Sequence, residues 1–133
     1  MSVAFTFPGQ GSQAVGMGKD LADAFPEARA VYDEVDDALG QKLSTIMWEG
    51  PEETLTLTAN AQPALMAVSL AAMRALEREF GVNASKAAYV AGHSLGEYSA
   101  LAAVGALTLT DAARPSSVKH SRQSPHELDF TAL

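Results

Sequence analysis

A serine with glycines on both sides is the feature of this chain best suited to covalent chemistry. Residues 92–96 read Gly-His-Ser-Leu-Gly and fit the GxSxG pattern of a nucleophile elbow. In an elbow a sharp strand-to-helix turn exposes the serine hydroxyl, and a Cβ at the flanking glycines would collide within the turn. The pattern predicts that Ser94 is a nucleophile that forms an ester with an acyl group. The plainer interpretation is a Gly-rich turn in which Ser94 only caps the next helix.

Two groups could stabilise the negative charge that such a reaction places on the acyl oxygen. The backbone amide of Leu95 would lie at the N-terminus of the following helix and point at the oxyanion. A second Gly-rich turn, residues 8–13, carries Gln10, which could reach the same oxyanion. The plainer interpretation of this turn is a strand-to-helix connection with Ser12 as the helix cap.

Both turns need a strand before them. Residues 3–7 form a β-branched and aromatic run, residues 87–91 form a small apolar run, and each run leads into one of the turns. In a parallel sheet both turns would emerge at the carboxyl ends of strands, the edge where α/β proteins bind ligands. We therefore predict an α/β fold with a parallel-sheet core and helices on both faces.

Apolar residues at helical spacing predict the remaining elements. Residues 41–60 show no clear period apart from a small helix after Pro51. A final helix would start at Thr110 and stop at Pro115, because a proline ring clashes within a helix interior. The other expected helices lie near residues 17–25, at 26–39 before Gly40, at 61–80 before Gly81, and at 95–104 before Gly105.

The composition excludes several classes of protein. A chain of 133 residues holds one globular domain at most. Asp and Glu outnumber Lys and Arg by 16 to 9, which leaves no positive surface for a nucleic acid. The absence of cysteine removes thiol chemistry, and no cluster of residues implies a metal or a bound organic cofactor. No signal-like start or long apolar window is present, so we expect a cytoplasmic protein that is not bound to a membrane.

Three ordered motifs resemble malonyl-CoA:acyl-carrier-protein transacylases and, more broadly, the acyltransferase domains of fatty-acid and polyketide synthases. They are FTFPGQGSQAVGM at 5–17, QPAL at 62–65 and AGHSLGEYSAL at 91–101. The resemblance runs from about Val3 to Arg114. It implies the N-terminal half of an α/β-hydrolase-like, parallel-sheet acyltransferase domain.

The resemblance also implies a role for each site residue. Ser94 would take a malonyl group from coenzyme A as an ester and pass it to the phosphopantetheine thiol of acyl carrier protein. Gln10 and the Leu95 amide match the oxyanion hole, and Gln62 matches a glutamine of the same pocket. His93 is adjacent to the nucleophile and should point away from its hydroxyl, so we interpret it as a pocket-wall residue. Coenzyme A enters as a substrate carrier, and no cofactor is implied.

The family pattern stops after Arg114. In the family an arginine that pairs with the malonyl carboxylate follows in the same helix, and a general-base histidine comes much later. Here residues 115–117 interrupt that helix, and residues 115–133 have the composition of a disordered tail. We interpret residues 1–114 as a partial acyltransferase large domain, truncated or frame-shifted after Arg114 and impaired in activity. The tail residues without a family-like neighbourhood are His120, Arg122 and His126.

Two other functions stay open from the sequence. A noncatalytic remnant would bind coenzyme A or acyl carrier protein without transferring an acyl group. A serine hydrolase would use the same elbow to pass an acyl group to water, but it needs an acid and a histidine after Ser94. Only the tail supplies a histidine after Ser94.

Overall fold

The computed structural model describes residues 3–82, 87, 89–92, 99, 102–103, 105, 108 and 113. The two strands, β1 and β2, pair in parallel, and five helices connect them. The fold is therefore α/β, as predicted. The elements are β1 (Ala4–Phe7), α1 (Lys19–Ala24), α2 (Pro26–Leu39), α3 (Leu43–Glu49), α4 (Glu52–Thr56), α5 (Thr58–Phe80) and β2 (Tyr89–Gly92).

The register of the sheet aligns the carboxyl ends of the two strands. Ala4 pairs with Tyr89 at one end, and Phe7 pairs with Gly92 at the other. The chain segments that follow Phe7 and Gly92 therefore start side by side. The register confirms that the two strands that precede the Gly-rich segments end at the same edge of the sheet.

The two faces of the sheet differ in burial. On one face Phe7 and Val90 are buried and pack against Met73 of α5. On the other face Thr6 and Ala91 are exposed, and Tyr89 keeps 53% of its surface accessible. Helices were predicted on both faces, but among the described residues only the first face is covered.

The main core lies between α2 and α5. The buried side chains of α2 recur at the spacing of one helix face, and α5 opposes them mostly with alanines, which allow a close approach of the two backbones. The shorter helices α3 and α4 add buried Leu43, Met47 and Leu55. The buried side chains on these two faces are Ala28, Val31, Tyr32 and Val35 of α2, and Ala64, Ala67, Leu70 and Ala71 of α5.

Several helix ends match the sequence prediction. Pro26 is the first residue of α2, where its missing N–H costs nothing. Gly40 ends α2 with a φ of 65°, a left-handed conformation that glycine adopts without strain. Helix α4 follows Pro51 as predicted, and α5 ends at Gly81 but begins at Thr58 rather than at Ala61.

Helix α3 was not predicted, and β2 is displaced from its predicted range. The α3 segment lacks a long apolar period, but Leu43 and Met47 reach the core and stabilise the helix through tertiary contacts. The second strand begins at Tyr89 and includes Gly92, whereas the prediction covered residues 87–91.

The chain after β2 is described at a few positions only. Ser99, Ala102 and Ala103 have helical backbone, and Gly105 lies in a turn with a φ of 80°, as predicted for this helix and its end. The rest of that helix, most of the predicted helix at Thr110, the boundary at Arg114 and residues 115–133 lie outside the described residues. None of the helices found in the described stretches has the length and apolar character needed to cross a membrane.

Candidate active site

The turn after β1 is fixed by one of its own side chains. The backbone amide of Gly11 donates a hydrogen bond to Oε1 of Gln13 at 2.8 Å. Gly11 has a φ of 110°, which favours glycine at this position. Gly9 is buried, whereas Gln10 between these two glycines is exposed. The turn therefore presents the Gln10 side chain outward from a constrained backbone.

The Gln10 side chain extends to the start of α5. Its Nε2 donates a hydrogen bond to Oγ1 of Thr58 at 3.1 Å. Thr58 is the first residue of α5, and Gln62 follows four residues later on the same face of the helix. Gln62 is half-buried. The structure thus brings two predicted site residues, Gln10 and Gln62, to the same side of α5.

A groove opens at the carboxyl edge of the sheet. Its volume is about 530 Å³, which lies within the range of about 300–1,000 Å³ typical of small-molecule sites. It lies at the carboxyl ends of β1 and β2, so this edge is the candidate active site. The described residues that line it are Thr6, Phe7, Pro8, Ala91 and Gly92.

The other predicted site residues, His93, Ser94 and Leu95, lie outside the described residues. Their assigned roles stay predictions. The strand that a GxSxG elbow requires is present, because β2 ends at Gly92, the first glycine of the motif.

The described part of the site is electrically neutral. The groove residues, Gln10, Thr58 and Gln62 carry no formal charge, so stabilisation of an anion here depends on hydrogen-bond donors. Within the described stretches of the chain, no three His, Asp or Glu side chains gather closely enough to hold a metal ion.

Sequence reasoning did not identify Thr58. The available signal was its position four residues before Gln62, which places both on one face of any helix that contains them. The predicted helix started at Ala61, so this signal was lost.

The sequence and the fold of this chain place it in a known family of domains. A family model described as an acyl transferase domain matches residues 4–124, and the chain belongs to this family. The chain is 52% identical over 110 residues to the malonyl CoA-acyl carrier protein transacylase of Bacillus subtilis (strain 168). The aligned residues cover 83% of this chain and 33% of that protein. It is 44% identical over 111 residues to the Escherichia coli (strain K12) protein of the same name. This alignment covers 84% of this chain and 35% of that protein.

Solved structures give the same result. The acyl-carrier-protein-S-malonyltransferase from Bartonella henselae superposes with a TM-score of 0.84 at 60% identity, over 91% of this chain and 38% of that one. A malonyl-transacylase in complex with a type II polyketide synthase acyl-carrier protein gives a TM-score of 0.81 at 41% identity, again over 91% of this chain and 38% of that one. The resemblance seen in the three motifs is confirmed, and the chain spans about a third of the length of the curated relatives it matches.

Proposed function

We propose that this chain supplies the nucleophile-bearing part of an acyltransferase that moves a malonyl group from coenzyme A to acyl carrier protein. The observation that carries the proposal is the parallel register, which pairs Phe7 with Gly92 and starts the Gln10 turn and the GxSxG segment at one edge. The names of the relatives support malonyl-CoA and acyl carrier protein as the two substrates.

The reaction has two halves. In the first, Oγ of Ser94 attacks the thioester carbonyl of malonyl-CoA, the carbon–sulfur bond breaks, and coenzyme A leaves as a thiol with the serine proton. In the second, the sulfur of the phosphopantetheine thiol attacks the carbonyl of the seryl ester, the bond from that carbon to Oγ breaks, and Ser94 regains a proton from the thiol. In both halves Gln10 and the Leu95 backbone amide would donate hydrogen bonds to the oxyanion. Gln62 and His93 would line the pocket.

The proposal needs coenzyme A only as a substrate carrier, and it places the reaction in the cytoplasm. The cysteine-free composition fits a reducing compartment. None of the described site residues carries a positive charge to pair with the malonyl carboxylate, and we expect neither His120 nor His126 to act as the base, because neither has a family-like neighbourhood. Acylation of Ser94 in this chain should therefore be slow, because an unassisted serine is a weak nucleophile.

Intact-mass spectrometry of the purified chain with malonyl-CoA tests the proposal. We expect one malonyl adduct that maps to Ser94, is absent in Ser94→Ala and persists in the control Ser12→Ala. Added holo acyl carrier protein should remove the adduct and become malonylated. Acylation at the rate of a full-length transacylase would contradict the expected impairment.

Two outcomes would replace the proposal with an alternative. Saturable binding of coenzyme A or acyl carrier protein without any adduct would identify a noncatalytic binding remnant. Release of free malonate from malonyl-CoA with no malonylated carrier protein would identify a hydrolase.

A further inference from the structure

We propose that the uncovered face of the sheet is an interface for the remaining part of an acyl transferase fold, which packs helices against it. This face, here called the open sheet face, consists of Ala4, Thr6, Tyr89 and Ala91, all of which are exposed. The register places Ala4 beside Tyr89 and Thr6 beside Ala91, so the four side chains form one patch. The interface concerns assembly of the fold and is independent of the reaction proposed above.

The helical segments near the sheet lie on its opposite side. On that side Phe7 and Val90 are buried and pack against Met73 of α5. Ala103, which has helical backbone after β2, packs against the same cluster. Parallel sheets occur almost only with both faces covered, because their connecting helices pack on both sides. The open sheet face therefore has the geometry of a surface that a further layer of helices covers.

The lengths of the relatives indicate what this further layer is. The match to the Bartonella henselae malonyltransferase covers 91% of this chain but 38% of that protein. The match to the Bacillus subtilis transacylase covers 33% of that protein. More than half of each relative therefore lies outside the matched region. A domain is built from layers packed around a shared core, so the unmatched part needs a surface of the matched part to pack against.

The distribution of charge favours an apolar partner at this face. Every charged residue of the described part lies within residues 19–53 or 74–79, and the two strands carry none. The open sheet face can therefore be buried without removing an ion from water. Tyr89 adds a large aromatic ring with a polar hydroxyl, a residue type that is enriched at interfaces.

A second copy of this chain fits the face less well. Two copies would meet with a net charge of -7 each and repel one another. They would share a patch of four residues, whereas a stable interface between proteins involves about 20–30 residues on each side. The remaining part of the domain would also contact the strand edges and the adjoining groove.

Co-expression tests this interface directly. The chain is produced together with a tagged segment of the Bacillus subtilis transacylase that comprises the residues outside the aligned 110. We expect the two polypeptides to purify as a one-to-one complex in native mass spectrometry. Amide hydrogen exchange in the two strands should be slower in the complex than in the chain alone.

Lysine substitutions place a charge on the open sheet face. Thr6→Lys and Tyr89→Lys should each bind the segment about tenfold more weakly or worse, because burial removes water from the ammonium group. Thr6→Val and Tyr89→Phe keep the size of the side chain without a charge and should bind within about twofold of the native chain. Thr56→Lys is the matched control, since Thr56 is also exposed but lies at the end of α4. It should bind like the native chain.

A chimera tests the same interface where the separate segment does not fold. In the chimera, residues 1–113 of this chain precede that segment in one polypeptide. Thr6→Lys and Tyr89→Lys should lower the thermal midpoint of the chimera but not that of this chain alone, in which both side chains are exposed. Thr56→Lys should leave both midpoints unchanged.

Three results would overturn the inference. The first is a pair of lysine variants that bind the segment, or melt in the chimera, as the native protein does. The second is a loss of fold in the lysine variants of this chain alone, which would show that the face is already covered. The third is a dimer of this chain that excludes the segment and dissociates in Tyr89→Lys, which would assign the face to a second copy. The proposed malonyl transfer fails separately: a complex with the expected order of variants but no malonyl adduct would refute that function and support the interface.

Discussion

The carboxylate of Asp36 accepts two hydrogen bonds from Ser44, one from the backbone amide at 2.9 Å and one from the hydroxyl at 2.6 Å. Asp36 lies in the last turn of α2 and is only 5% exposed, and Ser44 is the second residue of α3. The first amides of a helix lack partners within the helix, so a carboxylate there is favourable. The pair therefore joins the end of α2 to the start of α3.

Replacement of Asp36 should cost stability. Asp36→Ala leaves the Ser44 amide and hydroxyl buried without their acceptor, so we expect a loss of about 2–3 kcal/mol in the free energy of unfolding. Urea denaturation followed by the fluorescence of Trp48, the single tryptophan, measures it. The control Asp37→Ala changes an exposed neighbour on the same helix and should alter stability by about 0.5 kcal/mol at most. Equal losses in the two variants would contradict a specific role for the Asp36 carboxylate.

We expect that position 18 tolerates no residue other than glycine. Its φ is 75°, and a Cβ at this position would collide with the hydroxyl of Tyr32. Gly18→Ala should therefore destabilise the chain by about 3 kcal/mol, which combines left-handed strain with overpacking.

Gly16 provides the matched control for that prediction. Its φ is 92°, but a Cβ there would meet no atom within 4 Å. Gly16→Ala should cost about 1–2 kcal/mol from backbone strain alone. Adding Tyr32→Phe to Gly18→Ala removes the colliding hydroxyl and should recover part of the loss in thermal denaturation. If the two alanine variants melt alike, the collision with Tyr32 does not occur.

Tyr32 should make stability depend on pH in the alkaline range. Its ring packs edge-on against Trp48 with centroids 5.3 Å apart, and its hydroxyl donates to the carbonyl of Gly18 at 3.3 Å. Burial raises the pKa of Tyr32 from 10.0 to about 12, because desolvation disfavours the phenolate. Between these values the unfolded chain loses a proton that the folded chain keeps. Stability from Tyr32 is therefore complete below pH 10 and declines as the pH rises toward 12.

Unfolding free energies measured at several pH values from 9 to 12 test this dependence. Tyr32→Phe has no ionisable hydroxyl, so its stability should decline less steeply than that of the native chain over this range. Parallel declines in the two proteins would show that other groups cause the alkaline sensitivity.

The ion pair between Glu27 and Arg78 should contribute little to the free energy of unfolding. Nε of Arg78 lies 3.2 Å from Oε1 of Glu27 and links α5 to α2, but the two side chains are 67% and 38% exposed. Solvent screening limits such pairs to about 0–1 kcal/mol. Glu27→Gln and Arg78→Gln should each shift the urea midpoint only slightly relative to the native chain. This shift should vanish in high salt. A large loss that persists in high salt would contradict this estimate.

Local sequence signals were enough to predict the parts of the fold that depend on neighbouring residues. The run at residues 3–7, the Pro26 and Gly40 boundaries, and the apolar face of α2 all follow from short-range preferences for turns and helical spacing. Helix α3 escaped prediction because its stability comes from Asp36 and from core contacts of α2 and α5.

The sequence by itself determined the candidate chemistry: a serine within GxSxG, a glutamine in a second Gly-rich turn, and a further glutamine at position 62. Only the tertiary structure decided which part of the chain Gln10 contacts. Residues 10 and 58 are 48 positions apart, and the hydrogen bond between their side chains exists because the chain packs the β1 turn against the start of α5. The pairing of Phe7 with Gly92 is likewise a long-range contact, since register depends on the two strands aligning across the sheet rather than on either strand alone.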